Sequence, residues 1–293
     1  MMYELVQVGP QSYYIDCPAK IGVYVERDTE VYLIDSGSDK DAGRKVRQIL
    51  EQQDWSLRGI LNTHSNADHI GGNRYLQNQT SCQVFASGME AAFTQYPILE
   101  PSFLYGGYPC KDLRHKFLLA QDSEVTDFAD EAFPKTVEIL PLPGHFLDMV
   151  GFRTPDGTVF LADCLASRET LEKYAVPFIY DVQAYLDTLD KVAAMKAPMF
   201  VPAHAPAGKD VADLCVFNRK KVLEVSDIIL DLCKEPIHFE YILREVFRHY
   251  GLTMNFEQYV LVGSTVRSFL SWMKDSRKAA VTFADGLLLW HTV

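Results

Sequence analysis

The decapeptide THSNADHIGG, residues 63–72, sets His64, Asp68 and His69 within six residues, ahead of a glycine pair. Polar side chains gathered this tightly are not buried without partners, because each unpaired group costs free energy on leaving water. The apolar run Gly59-Ile60-Leu61 leads into the motif, so the histidines stand at the end of a strand of buried type. Three further segments share this grammar: LPLPGH ends on His145, TVFLAD on Asp163 and MFVPAH on His204, and LIDSG with Asp35 is a fourth of the kind. Four of the chain's eight histidines occupy such places. Strand ends hold side chains rigidly at one edge of a sheet. A lone histidine there reads as structural. Several converging with aspartates need a cation to offset their mutual repulsion and desolvation.

Working outward, residues 1–35 read as short strands (YELVQV, SYYID, GVYVE, EVYLID), rich in β-branched and aromatic residues. Apolar periodicity predicts helices over 39–53, 66–77 and 181–196, with a short one from Ser87. Strands are predicted at CQVFA, TVEILPL, MVGFRT, TVFLAD and PMFVPAH, the third and fourth joined by the turn Pro155-Asp156-Gly157. From Leu214 the chain turns helical, over 213–233, 237–250 and 255–275, and ends in a hairpin signalled by Asp285-Gly286. The fold class is therefore α/β or α+β, with strands layered against helices. Two regions are expected: 1–212, carrying the polar motifs, and 213–293, a helical, winged-helix-like appendage.

Charge divides along the same line. Residues 1–212 hold 18 basic against 29 acidic residues, and 213–293 hold 10 against 10. An acidic body repels polyanions, which argues against a nucleic-acid substrate. No apolar run approaches the roughly 20 residues of a membrane span. The N-terminal segment lacks the basic start and apolar stretch of a signal peptide and reads as a first strand. The six scattered cysteines, without a CxxC pair, fit a reduced, cytoplasmic chain.

The pattern resembles the metallo-β-lactamase fold superfamily, with a glyoxalase II-like metal motif of His-x-His-x-Asp-His followed by Gly-His, Asp and His at successive strand ends. The spacing fits, with 81 residues from His64 to His145, 18 to Asp163 and 41 to His204. The resemblance covers roughly residues 3–212. It implies a four-layer αβ/βα sandwich with a metal site in a groove at one sheet edge. Carried over, His64 and His145 serve a first metal ion, and Asp68, His69 and His204 a second. Asp163 bridges the two, and Asp35 stands behind them as an acceptor that orients a ligand histidine. Such a donor set suits zinc, as one ion or two, and also iron or manganese.

One position departs from the family. Where its motif has a second histidine, this chain has Asn66. An amide oxygen is a weaker donor to zinc than imidazole. The expectation is a strong second site beside a first site that is weak, completed by water or by Asn66 itself. The resemblance further implies a metal-dependent hydrolase that turns a metal-bound hydroxide on a small-molecule ester, thioester, amide or phosphoester. Asp68 is the candidate to orient the nucleophile or pass a proton. Three other readings stand beside it: an iron persulfide dioxygenase-like oxidoreductase on His64, His145 and Asp163, a nuclease, and a non-catalytic binding module.

Weaker features complete the reading. Cys164 reads as a small filler starting a helix. In the aromatic segment 95–131, Tyr96, Phe103, Tyr105 and Tyr108 offer a lid hinged at Gly106-Gly107, or packing on the sheet or across a homodimer. His115 reads as a solvated surface residue. The appendage is expected to pack on the first region or to wall the groove, and its charge balance weighs against DNA binding.

Overall fold

Alternation along the strands decides how the layers stack, because successive side chains leave a strand on opposite faces. The computed structural model describes residues 3–293. Four strands open the chain, β1 (Glu4–Gln7), β2 (Ser12–Asp16), β3 (Ile21–Arg27) and β4 (Glu30–Ile34), followed by α1 (Lys40–Gln52) and β5 (Ser56–Leu61). Next come α2 (Ala67–Ile70), α3 (Asn73–Thr80), β6 (Gln83–Phe85), α4 (Gly88–Gln95), α5 (Leu99–Tyr105) and a 3-10 turn at Lys111–Leu113. Then follow β7 (Glu138–Pro141), β8 (Val150–Arg153), β9 (Val159–Ala166), α6 (Arg168–Tyr174), α7 (Val182–Ala194) and β10 (Phe200–His204). The chain continues through α8 (Ala212–Leu232), β11 (Ile237–His238), α9 (Phe239–Tyr250), α10 (Phe256–Asp275), β12 (Ala279–Ala284) and β13 (Leu287–Thr292).

Strands β1 to β6 form one sheet in sequence order, and β10-β9-β8-β7 form a second. In β4, Val31 and Leu33 pack outward with Val46 and Leu50 of α1, whereas Tyr32 and Ile34 face inward. There they meet Phe152 of β8, Phe160 of β9 and Val201 of β10. The second sheet turns its other face, Val159 and Leu161, to Leu186 and Leu189 of α7 and Val222 of α8. Helix, sheet, sheet, helix: the fold is the four-layer αβ/βα sandwich. Both sheets bury both faces, which explains why their strands read as apolar runs.

The helix expected over 66–77 is two helices, α2 and α3, divided at Gly71-Gly72. A Cβ on Gly71 would lie 2.3 Å from the carbonyl of Ser38, and one on Gly72 2.3 Å from the Ser36 oxygen. The glycine pair therefore lets this part of the motif press against the backbone that follows β4. In β9 the strand does not stop at Asp163 but runs on to Ala166, after a left-handed residue at Ala162 (φ 50°) and a register shift. Cys164 consequently lies buried inside a strand and does not start a helix. Helix α5 lies inside the aromatic segment 95–131, and the helix expected from Cys164 begins instead at Arg168, as α6.

The C-terminal elements follow the winged-helix order, with β11-β13-β12 as a three-stranded sheet. Apolar packing is continuous across residue 212. One cluster joins Leu165 of β9, Ile179 and Leu186 with Val225 of α8, Val246 of α9 and Phe269 of α10. Two hydrogen bonds tie α10 to the sandwich, from the Ile179 amide to Thr265 Oγ1 (3.2 Å) and from Trp272 Nε1 to Gln183 Oε1 (3.0 Å). Phe269→Ala is expected to cost roughly 3–5 kcal/mol. It should lower one cooperative transition seen alike by far-UV and near-UV circular dichroism in urea. Separate melting of residues 213–293 would contradict the shared core.

Candidate metal centre

The polar residues meet at one end of the two sheets. Strand β5 ends at Leu61, and the Thr63 carbonyl accepts from the Val150 amide (2.9 Å), which seats His64 between the sheet edges. Asn66 is the N-cap residue of α2 but makes no side-chain cap bond, which leaves its amide free to face the centre. Asp68 and His69 lie on α2. His145 follows Gly144 in the β7–β8 connection, Asp163 follows the bulged Ala162, and His204 ends β10. All the predicted ligand residues come together from these separate elements.

The four histidines are oriented alike. Their Nδ1 atoms are engaged away from the centre: His64 with Thr63 Oγ1 (2.9 Å), His69 with Asp35 Oδ2 (2.8 Å), His145 with the Phe178 carbonyl (3.0 Å) and His204 with the Pro18 carbonyl (3.0 Å). Thr63 can accept from His64 because its own hydroxyl donates to Asp35 Oδ2 (2.7 Å), while its amide donates to Asp35 Oδ1 (2.8 Å). This bonding places the ring proton on Nδ1 and turns each Nε2 lone pair inward. Asp35 thus sits where the sequence put it, as the acceptor behind His69.

Inward, the contacts are close and unsatisfied. His69 Nε2 lies 3.1 Å from Asp163 Oδ1 and 3.8 Å from Asp68 Oδ2. His204 Nε2 lies 3.1 Å from Asp163 Oδ2 and 3.3 Å from Asp68 Oδ2. His145 Nε2 lies 3.6 Å from Asp163 Oδ2 and 3.2 Å from Asn66 Oδ1. The buried atoms His64 Nε2, His69 Nε2 and Asp163 Oδ1 have no aligned hydrogen-bond partner. Buried polar atoms are seldom left so in native proteins. The inward donor atoms form two groups, each within a 4.8 Å spread, His64, His145 and Asp163, and Asp68, His69 and His204, with a third, Asp35, His64 and His69, behind them. Imidazole nitrogens and carboxylate oxygens at these separations fit divalent cations.

Charge balance gives the same answer. Burial, with His69 nearby, holds His64 well below the ordinary imidazole range, and burial lowers His145. At His69 burial works against protonation, yet Asp163, Asp68 and Asp35 keep that ring well above its usual value. At His204 burial also opposes, and Asp163 with Asp68 pushes it up to about 10. Two extra protons, or one divalent cation, supply the positive charge the carboxylates require.

Two residues here carried no signal in the sequence. Glu100 of α5 is 5 % exposed and accepts from Asn66 Nδ2 (2.8 Å), which fixes the amide with its oxygen toward His145. Glu90 of α4, 3 % exposed, accepts from the Ser65 amide (2.8 Å), the Ser65 hydroxyl (2.6 Å) and the Asp148 amide (2.9 Å). Burial raises both carboxyls, Glu90 to about 7 and Glu100 well above its usual range. The proposed lid divides: Phe103 packs on Phe93, Phe146 and Tyr180, while Tyr96, Tyr105 and Tyr108 are exposed. His115 is not merely solvated; its Nε2 lies 3.3 Å from Glu257 Oε2 on α10.

Comparison with known proteins agrees with this geometry. The beta-lactamase-like protein 2 homolog of Drosophila melanogaster is 25% identical over 201 residues, covering 62% of this chain and 61% of that protein. A hydroxyacylglutathione hydrolase of Vibrio cholerae is 30% identical over 141 residues, covering 48% of this chain and 44% of that protein. The chain thus spans less than two thirds of the length of either relative. A beta-lactamase domain protein from Burkholderia ambifaria superposes with a TM-score of 0.73 at 15% identity, over 100% of this chain and 94% of that one, which shows a common fold. The family model of the metallo-beta-lactamase superfamily matches residues 18–204, from the segment that receives His204 to His204 itself. By that match, and with its strand-end histidines and aspartates brought to one sheet edge, the chain belongs to the metallo-beta-lactamase superfamily.

Proposed function

We propose that this protein is a metal-dependent hydrolase of a small-molecule ester, thioester or related acyl compound. One observation carries the reading: four buried or half-buried imidazoles have Nδ1 tied outward and Nε2 aimed at shared carboxylates. The hydrolase names of relatives, including a probable metallo-hydrolase of Bacillus subtilis, support it. His64, His145 and Asn66 would hold a first ion and Asp68, His69 and His204 a second, with Asp163 beside both groups. A divalent cation at such a site supplies Lewis acidity toward the acyl oxygen and lowers the pKa of a water.

The chain's own groups do the rest. The Asp68 side chain is 40 % exposed, with Oδ2 at 3.3 Å from His204 Nε2. It is placed to take the proton of the attacking water and return it to the departing heteroatom. Asp35 and the Phe178 and Pro18 carbonyls keep the imidazoles from turning. Glu100 keeps the Asn66 oxygen, and not its NH2, directed inward.

The His64, His145 and Asp163 group is also a two-histidine, one-carboxylate set suited to non-haem iron. That oxidoreductase reading leaves Asp68 and His204 without a task, and the hydrolase reading uses them. Iron in the purified protein, with oxygen consumed on a glutathione persulfide, would reverse the order.

Protein purified without added metal is expected to hold a divalent ion and to hydrolyse members of a panel of esters, thioesters, lactams and phosphodiesters. Chelation should abolish that turnover. No metal-dependent turnover of any panel member counts against the proposal. Elemental analysis of Asn66→His is expected to show content rising from about one ion per chain toward about two; unchanged content and affinity would remove the weakened-site account. Glu100→Ala should weaken the first ion by about 10–100-fold in a competition titration. Glu100→Gln, which still accepts from Asn66, should restore most of that affinity.

A further inference from the structure

Beside the proposed metal centre lies a cavity of about 200 Å³, with His145, Asp163 and His204 at one end. The remainder of its wall is chiefly apolar, with Leu165, Val176, Phe178, Leu261 and Val262 lining it. Apart from the three centre residues it contains no charged side chain. Three of the wall's hydroxyls are already engaged within the protein, and Tyr174 and Gln258 are the other polar side chains in it. Thr265 Oγ1 accepts from the Ile179 amide (3.2 Å), Tyr185 donates to Asn218 Oδ1 (3.3 Å) and Thr170 pairs with Ser167 (2.9 Å). A cavity of this kind disfavours a carboxylate, a phosphate or a polyhydroxylated group, because such a group would lose its water and gain few partners. Its volume suits a phenyl ring or a chain of about six carbons, since a cavity of about 150 Å³ lined by apolar side chains takes up benzene.

On the other side of His204 the surface is different. A wider hollow of about 830 Å³ is lined by Lys20 and Arg168 along with Asp16, Glu169 and Asp210, and it shares His204 and Thr170 with the cavity. The two spaces therefore adjoin at His204 and Thr170, one apolar and narrow, the other charged and wide. Resting on the hydrolase reading, we propose that the substrate is an acyl compound whose acyl group is a medium-length alkyl chain or an aryl ring. The acyl group enters the apolar cavity and a polar leaving group occupies the charged hollow. The carbonyl carbon then stands at the centre, because the cavity begins there. Water adds to that carbon, the bond from carbon to sulfur or oxygen breaks, and the products are a carboxylic acid and a protonated thiol or alcohol. Specificity for the acyl part comes largely from α10, which supplies Gln258, Leu261, Val262 and Thr265 to the wall.

Two measurements on the metal-loaded protein test this. Hydrolysis of glutathione thioesters from acetyl to decanoyl, with a hydroxyacyl thioester for comparison, should rise in kcat/KM by about fourfold per methylene to about six carbons and then level or fall. Leu261→Phe should move the peak to shorter chains and Leu261→Ala to longer ones. Calorimetric binding of straight-chain carboxylates from acetate to decanoate should show the same steps without any turnover. Carboxylates that bind by chain length while no thioester is cleaved would support the cavity and sink the hydrolase. Thioesters cleaved with no preference for length, or best as the hydroxyacyl compound, would overturn the acyl proposal and leave the hydrolase standing.

Discussion

The fixed tautomer of four histidines is the constraint on which the centre depends. An imidazole can turn either nitrogen inward, and only the outer hydrogen bond decides which. Here the deciding acceptors are the hydroxyl of Thr63, next to His64 in the chain, and three from distant segments, the carboxylate of Asp35 and the carbonyls of Phe178 and Pro18. Pro18 precedes β3, Asp35 follows β4, and Phe178 lies between α6 and α7. The sandwich must be assembled before the lone pairs converge. Folding and the metal centre are therefore linked, since a cation bound to the assembled site stabilises the assembled state by mass action.

Asn66 modifies that scheme without breaking it. A histidine there would bring a ring that needs its own outer acceptor. The amide needs only one fixed NH2, and Glu100 accepts from it. Burying that carboxyl against an amide is costly for the charged form, and burial indeed raises its pKa. The segment 95–131 thus acts through a buried acid and through Phe103 packed on Phe146, next to His145. Its exposed tyrosines lie elsewhere. What looked like a lid in the sequence is, at its first helix, a support for the metal motif.

How much could be read from the sequence follows from which physics leaves a local trace. Strands such as EVYLI alternate Val31 and Leu33 with Tyr32 and Ile34, and the same residues sort onto two faces in the fold. Helices α8, α9 and α10 and the closing hairpin were legible from period and from the Asp285-Gly286 turn. The residues that converge at the centre were legible because strand ends with polar residues are conspicuous. Glu90 and Glu100 were not, since an acid in an apolar neighbourhood carries no mark of burial until the chain is folded. The bulge at Ala162, which carries β9 past Asp163, depends on pairing with β10, and pairing is non-local. Gly71-Gly72 read as a continuation of a helix, whereas the nearby Ser36 and Ser38 backbone requires the break.

The last consequence concerns α10. Phe269 and Leu270 on this helix are fully buried in the common core, and Leu261 and Val262 line the cavity beside the centre. In a DNA-binding winged helix the corresponding face must be free to enter a groove and carry positive charge. Here Arg267 lies over the ring of Phe239, at 3.8 Å from its centroid, and the neighbouring face of the helix is covered by the sandwich. The same helix that closes the core therefore bounds the cavity. Substitutions toward the cavity end, at Leu261, change its shape where packing is looser, and substitutions at Phe269 remove core volume. Shape of the cavity and stability of the fold are separable at Leu261 and Phe269, about two turns apart on one helix, whereas Val262 belongs both to the cavity wall and to the core.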